Sequence, residues 1–267
     1  MIDSHMHLSL GSVYAPFDEA KLLQIMDKKG IETGIVSLLD VMEYGHQYQE
    51  NPLPTFSEYK GAKILLETIR SNRLFPIVWV RPRDGAKDTF FQYLEKHRTR
   101  IYGLKLHPFH SRLPLDHDLW NVYFEIAERF HWPVVIHTAA DDFSQAQMVS
   151  RWAEKYSVPM ILVHMGLYTD HQEAVKMILR YPHVYGDTTW VKPEDLWPIL
   201  DRCGPRKILF GTDALVGGEN TYEFYQPLFN NISHFSQEAE WLLKRNAERI
   251  FHLKKEINEK DESLFHV

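Results

Sequence analysis

The chain has 267 residues, 44% hydrophobic and 25% charged, with a formal net charge of −6 and a sequence pI of about 6.2. That is an ordinary globular composition, and the acidic balance gives no basic footprint for nucleic acid. The single cysteine, Cys203, excludes an intramolecular disulfide. No apolar run approaches the roughly 18 residues that span a bilayer, and no basic-then-apolar leader opens the chain, so a cytoplasmic location is expected.

Met1-Ile2-Asp3-Ser4-His5-Met6-His7-Leu8 opens the chain. Ile2, Ser4, Met6 and Leu8 alternate with Asp3, His5 and His7, so a strand would put both histidines on one face and the apolar residues on the other. Asp18 to Lys29 reads as an amphipathic helix closed by Gly30. Gly34 to Leu39 is a short buried strand, and the polar and aromatic stretch from Asp40 through Tyr44, His46 and Tyr48 to Pro54 reads as a long loop over a site. Thr55 to Asn72 is helical. Leu74 to Val80 is the third strand, ending at Arg81-Pro82-Arg83.

The alternation continues. Helices are expected at 86–97, 118–130, 143–156, 171–181 and 193–201, the last with Pro193 in its first turn. Between them lie strands ending Leu104-Lys105-Leu106, Val135-Ile136-His137, Leu162-Val163-His164, Gly186-Asp187-Thr188 and Gly211-Thr212-Asp213. Helices at 219–229 and 237–251 close the chain. A charged tail runs from Lys254, where Leu264-Phe265 could dock on a neighbour.

About eight short buried strands alternating with helices imply a parallel α/β sheet, either closed as a barrel or open and doubly wound. No glycine-rich phosphate loop follows any strand, which weakens the open nucleotide-binding form. His5, His7, Lys105, His137, His164 and Asp213 all sit towards strand C-terminal ends. A (β/α)8 barrel brings those ends to one mouth, so the expectation is one (β/α)8 TIM-barrel domain over residues 1–267 with a short charged tail.

Any one of these residues has a plainer role: His137 or His164 can satisfy a backbone carbonyl, and Asp213 can cap a helix. Four histidines and an aspartate each closing an apolar strand make a set. At this point the sequence resembles the amidohydrolase superfamily, and within it the amidohydrolase 2 branch that includes the aminocarboxymuconate semialdehyde decarboxylase-like proteins. The resemblance rests on Ile2-Asp3-Ser4-His5-Met6-His7, Gly103-Leu104-Lys105-Leu106-His107-Pro108, Val135-Ile136-His137, Leu162-Val163-His164-Met165-Gly166, Tyr185-Gly186-Asp187-Thr188 and Leu209-Phe210-Gly211-Thr212-Asp213. Asn246 to Phe251 looks like the branch's closing helix.

The resemblance implies that His5, His7, His137 and Asp213 bind one divalent metal, zinc first and manganese as the alternative. His164 then contacts the bound water or the substrate. Three imidazoles and a carboxylate with one position open make a catalytic rather than a structural site. Asp213 would act as general base and His164 would orient the nucleophile or stabilise an oxyanion. Lys105 has three readings: a free ammonium for an anionic substrate group, a carboxylated bridge between two metals with the fifth- and sixth-strand histidines, His137 and His164, on the second, or a filler of the mouth paired with Asp187. Further substrate contacts are expected from Arg81, His107, Trp190 and Tyr44.

The function expected is metal-dependent hydrolysis of a small anionic amide, ester or lactone. Non-oxidative decarboxylation of an aromatic or enoic acid is the alternative. A non-catalytic binding protein with a vestigial site would have lost a ligand, and none is missing. No nucleic-acid or membrane partner is expected, and self-association is left open.

Overall fold

The computed structural model describes residues 1–44, 55–214, 216–218, 220–231 and 239–253. His46, Tyr48, Leu264 and Phe265 lie outside the described residues. Among the described residues eight parallel strands run in chain order: β1 (Ile2–Leu8), β2 (Thr33–Leu38), β3 (Leu74–Pro76 continuing as Val78–Trp79), β4 (Leu104–Leu106), β5 (Val134–Ala139), β6 (Met160–Leu167), β7 (Val184–Asp187) and β8 (Ile208–Leu209). The two halves of β3 pair with different neighbours, Leu74–Pro76 with β2 and Val78–Trp79 with β4. The Ile77 amide still donates to the Val36 carbonyl, so the strand is continuous in space.

The ring closes between β1 and the segment after β8. Ser4 N–H donates to the Phe210 carbonyl, Asp213 N–H to the His5 carbonyl and His7 N–H to the Ala214 carbonyl, at 2.8, 2.8 and 2.7 Å. Closure removes both sheet edges and points every strand's C-terminal end at one mouth. The fold is thus an α/β barrel of the expected kind, with helices outside.

Side chains alternate along each strand between two cores. Ile2, Ile35, Ile77, Val135, Ile161 and Leu209 fill the barrel interior, with Ile250 and Phe251 of the closing helix packed below. Met6, Val36, Val78, Leu104, Val134 and Leu162 face outward against the helices. Helix ends follow local chemistry: the Asp18 side chain accepts from Lys21 N–H, and Gly30 at φ +67° ends the helix Glu19–Lys29.

Several elements depart from the pattern. In β1, Asp3 pairs with Gly34 and Met6 with Val36, so one extra residue is taken up between them. This bulge breaks the strict alternation expected from the sequence: Ile2 turns into the barrel, and Asp3 turns out to meet Tyr222 and Thr212. His5 and His7 still share the inner face. The helix expected at 143–156 is two short pieces, Ala146–Val149 and Ser150–Ala153, and an unexpected turn of helix, Pro108–Ser111, follows β4. No helix among the described residues is long and apolar enough to cross a membrane.

Candidate metal centre

At the mouth, one ligand atom each from His5, His7 and Asp213 lie within 4.8 Å of one another. Asp213 Oδ1 is 2.8 Å from His7 Nε2 and 3.8 Å from His5 Nε2. His5 and His7 are nearly inaccessible, at 1% and 3%. Burial lowers both imidazole pKa values, so both are neutral, the form in which imidazole binds a metal.

The partners of the other ring nitrogens bear on whether this set suits a cation. His5 Nδ1 lies 3.3 Å from Thr189 Oγ1 and 3.6 Å from Asp187 Oδ2. Thr189 gives its own proton to Asp187 at 2.7 Å, so its oxygen accepts from His5 Nδ1–H. That leaves the His5 Nε2 lone pair to accept from Lys105 Nζ at 3.0 Å or to bind a metal, with Asp213 Oδ1 3.8 Å away. For His7, Nδ1 is 2.9 Å from Ser37 Oγ, and a hydroxyl can donate or accept. Ser37 therefore serves His7 whether Nε2 holds a proton for Asp213 or a lone pair for a metal. The donor set fits zinc or a similar ion, and hydrogen-bonded outer ligand atoms are what such sites require.

His164 reaches the same cavity by an irregular route. Ile161 and Val163 point into the barrel, so simple alternation would send His164 outward. Left-handed backbone at His164 (φ +67°) and Met165 (φ +48°) re-aims both: Met165 packs in the outer core and the imidazole lines the cavity. Asp187 Oδ1 holds this turn by accepting His164 N–H at 2.8 Å. His164 Nδ1 is 3.2 Å from the Thr189 carbonyl, which only accepts, so Nε2 carries the free lone pair. Burial brings its pKa down to about 4.

His137 lines the cavity but is not in the compact three-residue set. Its ring stacks on His107 at 3.8 Å and meets His164 edge-on at 4.8 Å. His107 in turn stacks on Trp79 at 5.1 Å. Trp79, an inward residue at the end of β3, is a wall residue that the apolar run of its strand concealed.

Lys105 is 1% exposed, and its Nζ lies 3.0 Å from His5 Nε2. Burial is the larger influence on this ammonium, bringing its pKa down to about 8 against the pull of Asp213 and Asp187. No direct Lys105–Asp187 ion pair forms among the described residues, so the mouth-filling role loses its expected partner. Trp190 also lines the cavity and donates its indole N–H to Asp213 Oδ2 at 3.0 Å. Tyr14, from the loop after β1, adds a phenol whose pKa burial and Asp213 push up to about 12. Lys192 and Asp195 stand exposed at the rim of this roughly 860 Å³ cavity.

Two expected substrate contacts are elsewhere. Arg81 does not line the cavity: Glu43 and Asp84 lie 3.5 and 3.6 Å from its guanidinium, and it donates to the Phe56 carbonyl at 2.6 Å. Tyr44 stacks under Arg112 at 4.2 Å, and its carbonyl lies 2.5 Å from His110 Nδ1. Both residues brace the loops around the mouth. Ser37, Thr189 and Asp3 were missed in the sequence because each reads as a small or acidic residue within a strand pattern; only inward parity with Ile35 marks Ser37.

A family model described as amidohydrolase matches residues 2–253, and the chain belongs to this amidohydrolase 2 family. Among curated proteins none matches significantly. The solved structures it resembles include a probable 2-pyrone-4,6-dicarboxylic acid hydrolase from Acinetobacter baumannii with citric acid bound, at 17% identity and a TM-score of 0.68, covering 94% of this chain and 98% of that one. The 2,6-dihydroxybenzoate decarboxylase from Rhizobium is similar at 17% identity and 0.69, with the same coverage. An amidohydrolase from Burkholderia multivorans with bound zinc is similar at 15% identity and 0.66, covering 95% and 99%. At these identities the likeness is one of fold.

Proposed function

We propose that this amidohydrolase-family chain is a metal-dependent hydrolase of a small anionic amide, ester or lactone. The observation that carries the reading is the meeting of His5, His7 and Asp213 at 4.8 Å or less beside the buried Lys105 ammonium. We assign the metal to His5, His7 and Asp213, with His137 as the fourth ligand that the family pattern implies. Zinc is the favoured ion, in keeping with the imidazole-rich donors and the zinc-bound Burkholderia structure. When bound, the metal supplies a water of lowered pKa and polarises the substrate oxygen.

The protein's own groups do the rest. Lys105 holds the substrate anion, since it is the cation buried in the cavity wall. His164 Nε2 accepts a hydrogen bond from the attacking water and orients it, because its Nδ1 proton is held by Thr189. As a neutral acceptor it is better suited to orienting water than to stabilising an oxyanion. Asp213 takes the water's proton and returns it to the leaving group. Trp79, His107 and Trp190 wall the cavity and exclude bulk water. The lone cysteine accords with a cytoplasmic setting.

Non-oxidative decarboxylation is the second reading, favoured by the equal structural likeness to the Rhizobium decarboxylase. A panel of carboxylated lactones, esters, amides and hydroxybenzoates, run in ¹⁸O-water on zinc-loaded protein, separates the two. One ¹⁸O atom in the product supports hydrolysis, and carbon dioxide release without ¹⁸O uptake supports decarboxylation. A protein that takes up no divalent metal sinks both.

A further inference from the structure

Asp213 divides its carboxylate between two kinds of neighbour. Oδ1 faces His7 and His5, at 2.8 and 3.8 Å. Oδ2 accepts the Trp190 indole N–H at 3.0 Å. A carboxylate free to rotate can offer a cation one oxygen or two. A donor fixed on Oδ2 opposes that rotation, because turning Oδ2 towards the cation would bend or break the indole hydrogen bond.

The indole is itself held on several sides. Trp190 sits in left-handed backbone at φ +55°, and its main-chain N–H donates to the Tyr225 hydroxyl at 2.9 Å. Tyr225 is 2% exposed, so that anchor is fixed in the core. Phe224 meets the ring edge-on at 5.4 Å. A Cβ added to Gly217 would stand 2.5 and 2.8 Å from two carbons of the indole's six-membered ring, so the ring packs directly on bare backbone. Left-handed backbone in a non-glycine residue is strained and persists where surrounding contacts over-determine it. Here they do, and the group so held is the N–H aimed at Asp213.

We propose that Trp190 is a positioning residue whose indole N–H fixes Asp213 as a one-oxygen metal ligand, with Oδ2 turned away from His5 and His7. This rests on the reading of His5, His7 and Asp213 as metal ligands. It gives Trp190 a duty beyond walling the cavity, and it gives Gly217 one as the surface the ring needs.

The test is metal binding by the full-length chain, stripped of metal. Wild type, Trp190→Phe and Gly217→Ala are titrated with Zn²⁺ against a chromophoric chelator, and with Co²⁺ followed by its visible absorption. Trp190→Phe keeps an aromatic ring in the cavity wall and removes the donor, together with the ring carbons that lie against Gly217. Zinc affinity is expected to fall between about tenfold and a hundredfold in this variant, the range for loss of a partner that orients a ligand. The cobalt bands are expected to move and change intensity as the carboxylate gains freedom, with the metal-free melting temperature unchanged. Gly217→Ala, which pushes the ring without deleting its N–H, should alter the cobalt bands in the same direction. Wild-type affinity and wild-type cobalt bands in Trp190→Phe would overturn the proposal, whatever its melting temperature. A wild type that binds neither ion would instead overturn the ligand assignment beneath it, and this inference with it.

Discussion

Lys105 Nζ stands 3.0 Å from His5 Nε2, so the ammonium of β4 donates to the lone pair that a metal would use. The cation and a metal ion therefore compete for one nitrogen and repel each other across a buried space. Replacing Lys105 with Met, which is close in shape, should leave zinc binding at least as tight as in wild type and about tenfold tighter where competition dominates. Activity should fall a hundredfold or more because the substrate anion loses its partner. Zinc affinity and metal content of the Lys105→Met protein check this. Two ions in wild type and one in the variant would instead make Lys105 a bridging ligand.

His164 is expected to serve chemistry and not metal retention. His164→Asn keeps the outward-facing Met165 and a polar side chain, so zinc content should stay near wild type. The rate constant kcat should drop by about 10²- to 10⁴-fold, the usual contribution of a positioned acid or base. Loss of zinc along with activity would move His164 into the ligand set.

Glu58 gives a pH signature remote from the site. It is 2% exposed and accepts from Arg81 N–H, Ala86 N–H and the Tyr123 hydroxyl at 3.0, 3.0 and 2.7 Å. Burial nevertheless pushes its pKa from the ordinary 4.5 up to about 7. The folded state thus binds the proton more tightly than the unfolded chain. The stabilisation from the neutral form is complete below about pH 4.5 and is lost as pH rises through 7. At 1.36 kcal/mol per pKa unit the swing is about 3 kcal/mol. Urea unfolding of wild type and Glu58→Gln at pH 5 and pH 8 should show wild type losing ground by that order. A pH-independent gap between the two would count against it.

Gly211 leaves room for the anchors of His5. A Cβ there would stand 2.9 Å from both Asp187 Oδ2 and Thr189 Oγ1, and 3.1 Å from His5 Cβ. Gly211→Ala should therefore weaken zinc binding by about tenfold. It should also cost roughly 1–3 kcal/mol of stability through overpacking, read from calorimetry of the metal-free protein.

The barrel and most of its mouth were legible because strand ends carry their own chemistry: His137 and Asp213 follow apolar runs at inward parity, and His5 and His7 share one face of an alternating stretch. Three features were hidden, each where backbone leaves the regular pattern. The β1 bulge turns Asp3 out against Tyr222, and alternation read along Ile2 to Leu8 cannot register an extra residue. His164 faces inward only through two left-handed residues, which a histidine followed by a methionine does not announce. Arg81 reads as an anion clamp because its type and position suit one; Glu43 and Asp84, which occupy it, come near only once the loops fold. Pairing across the chain decides that outcome, and composition around Arg81 carries no trace of it.

The barrel closes along the seam between β1 and residues 210–214, and the candidate ligands straddle it, with His7 and Asp213 separated by 206 positions. During synthesis His7 leaves the ribosome 206 residues before Asp213 does. A nascent chain halted before residue 213 has His5, His7 and His137 but lacks the aspartate of the proposed ligand set, and β1 keeps an open edge. On the proposed ligand assignment, loading of the ion would coincide with closure, and once seated the ion would lock β1 to the segment after β8.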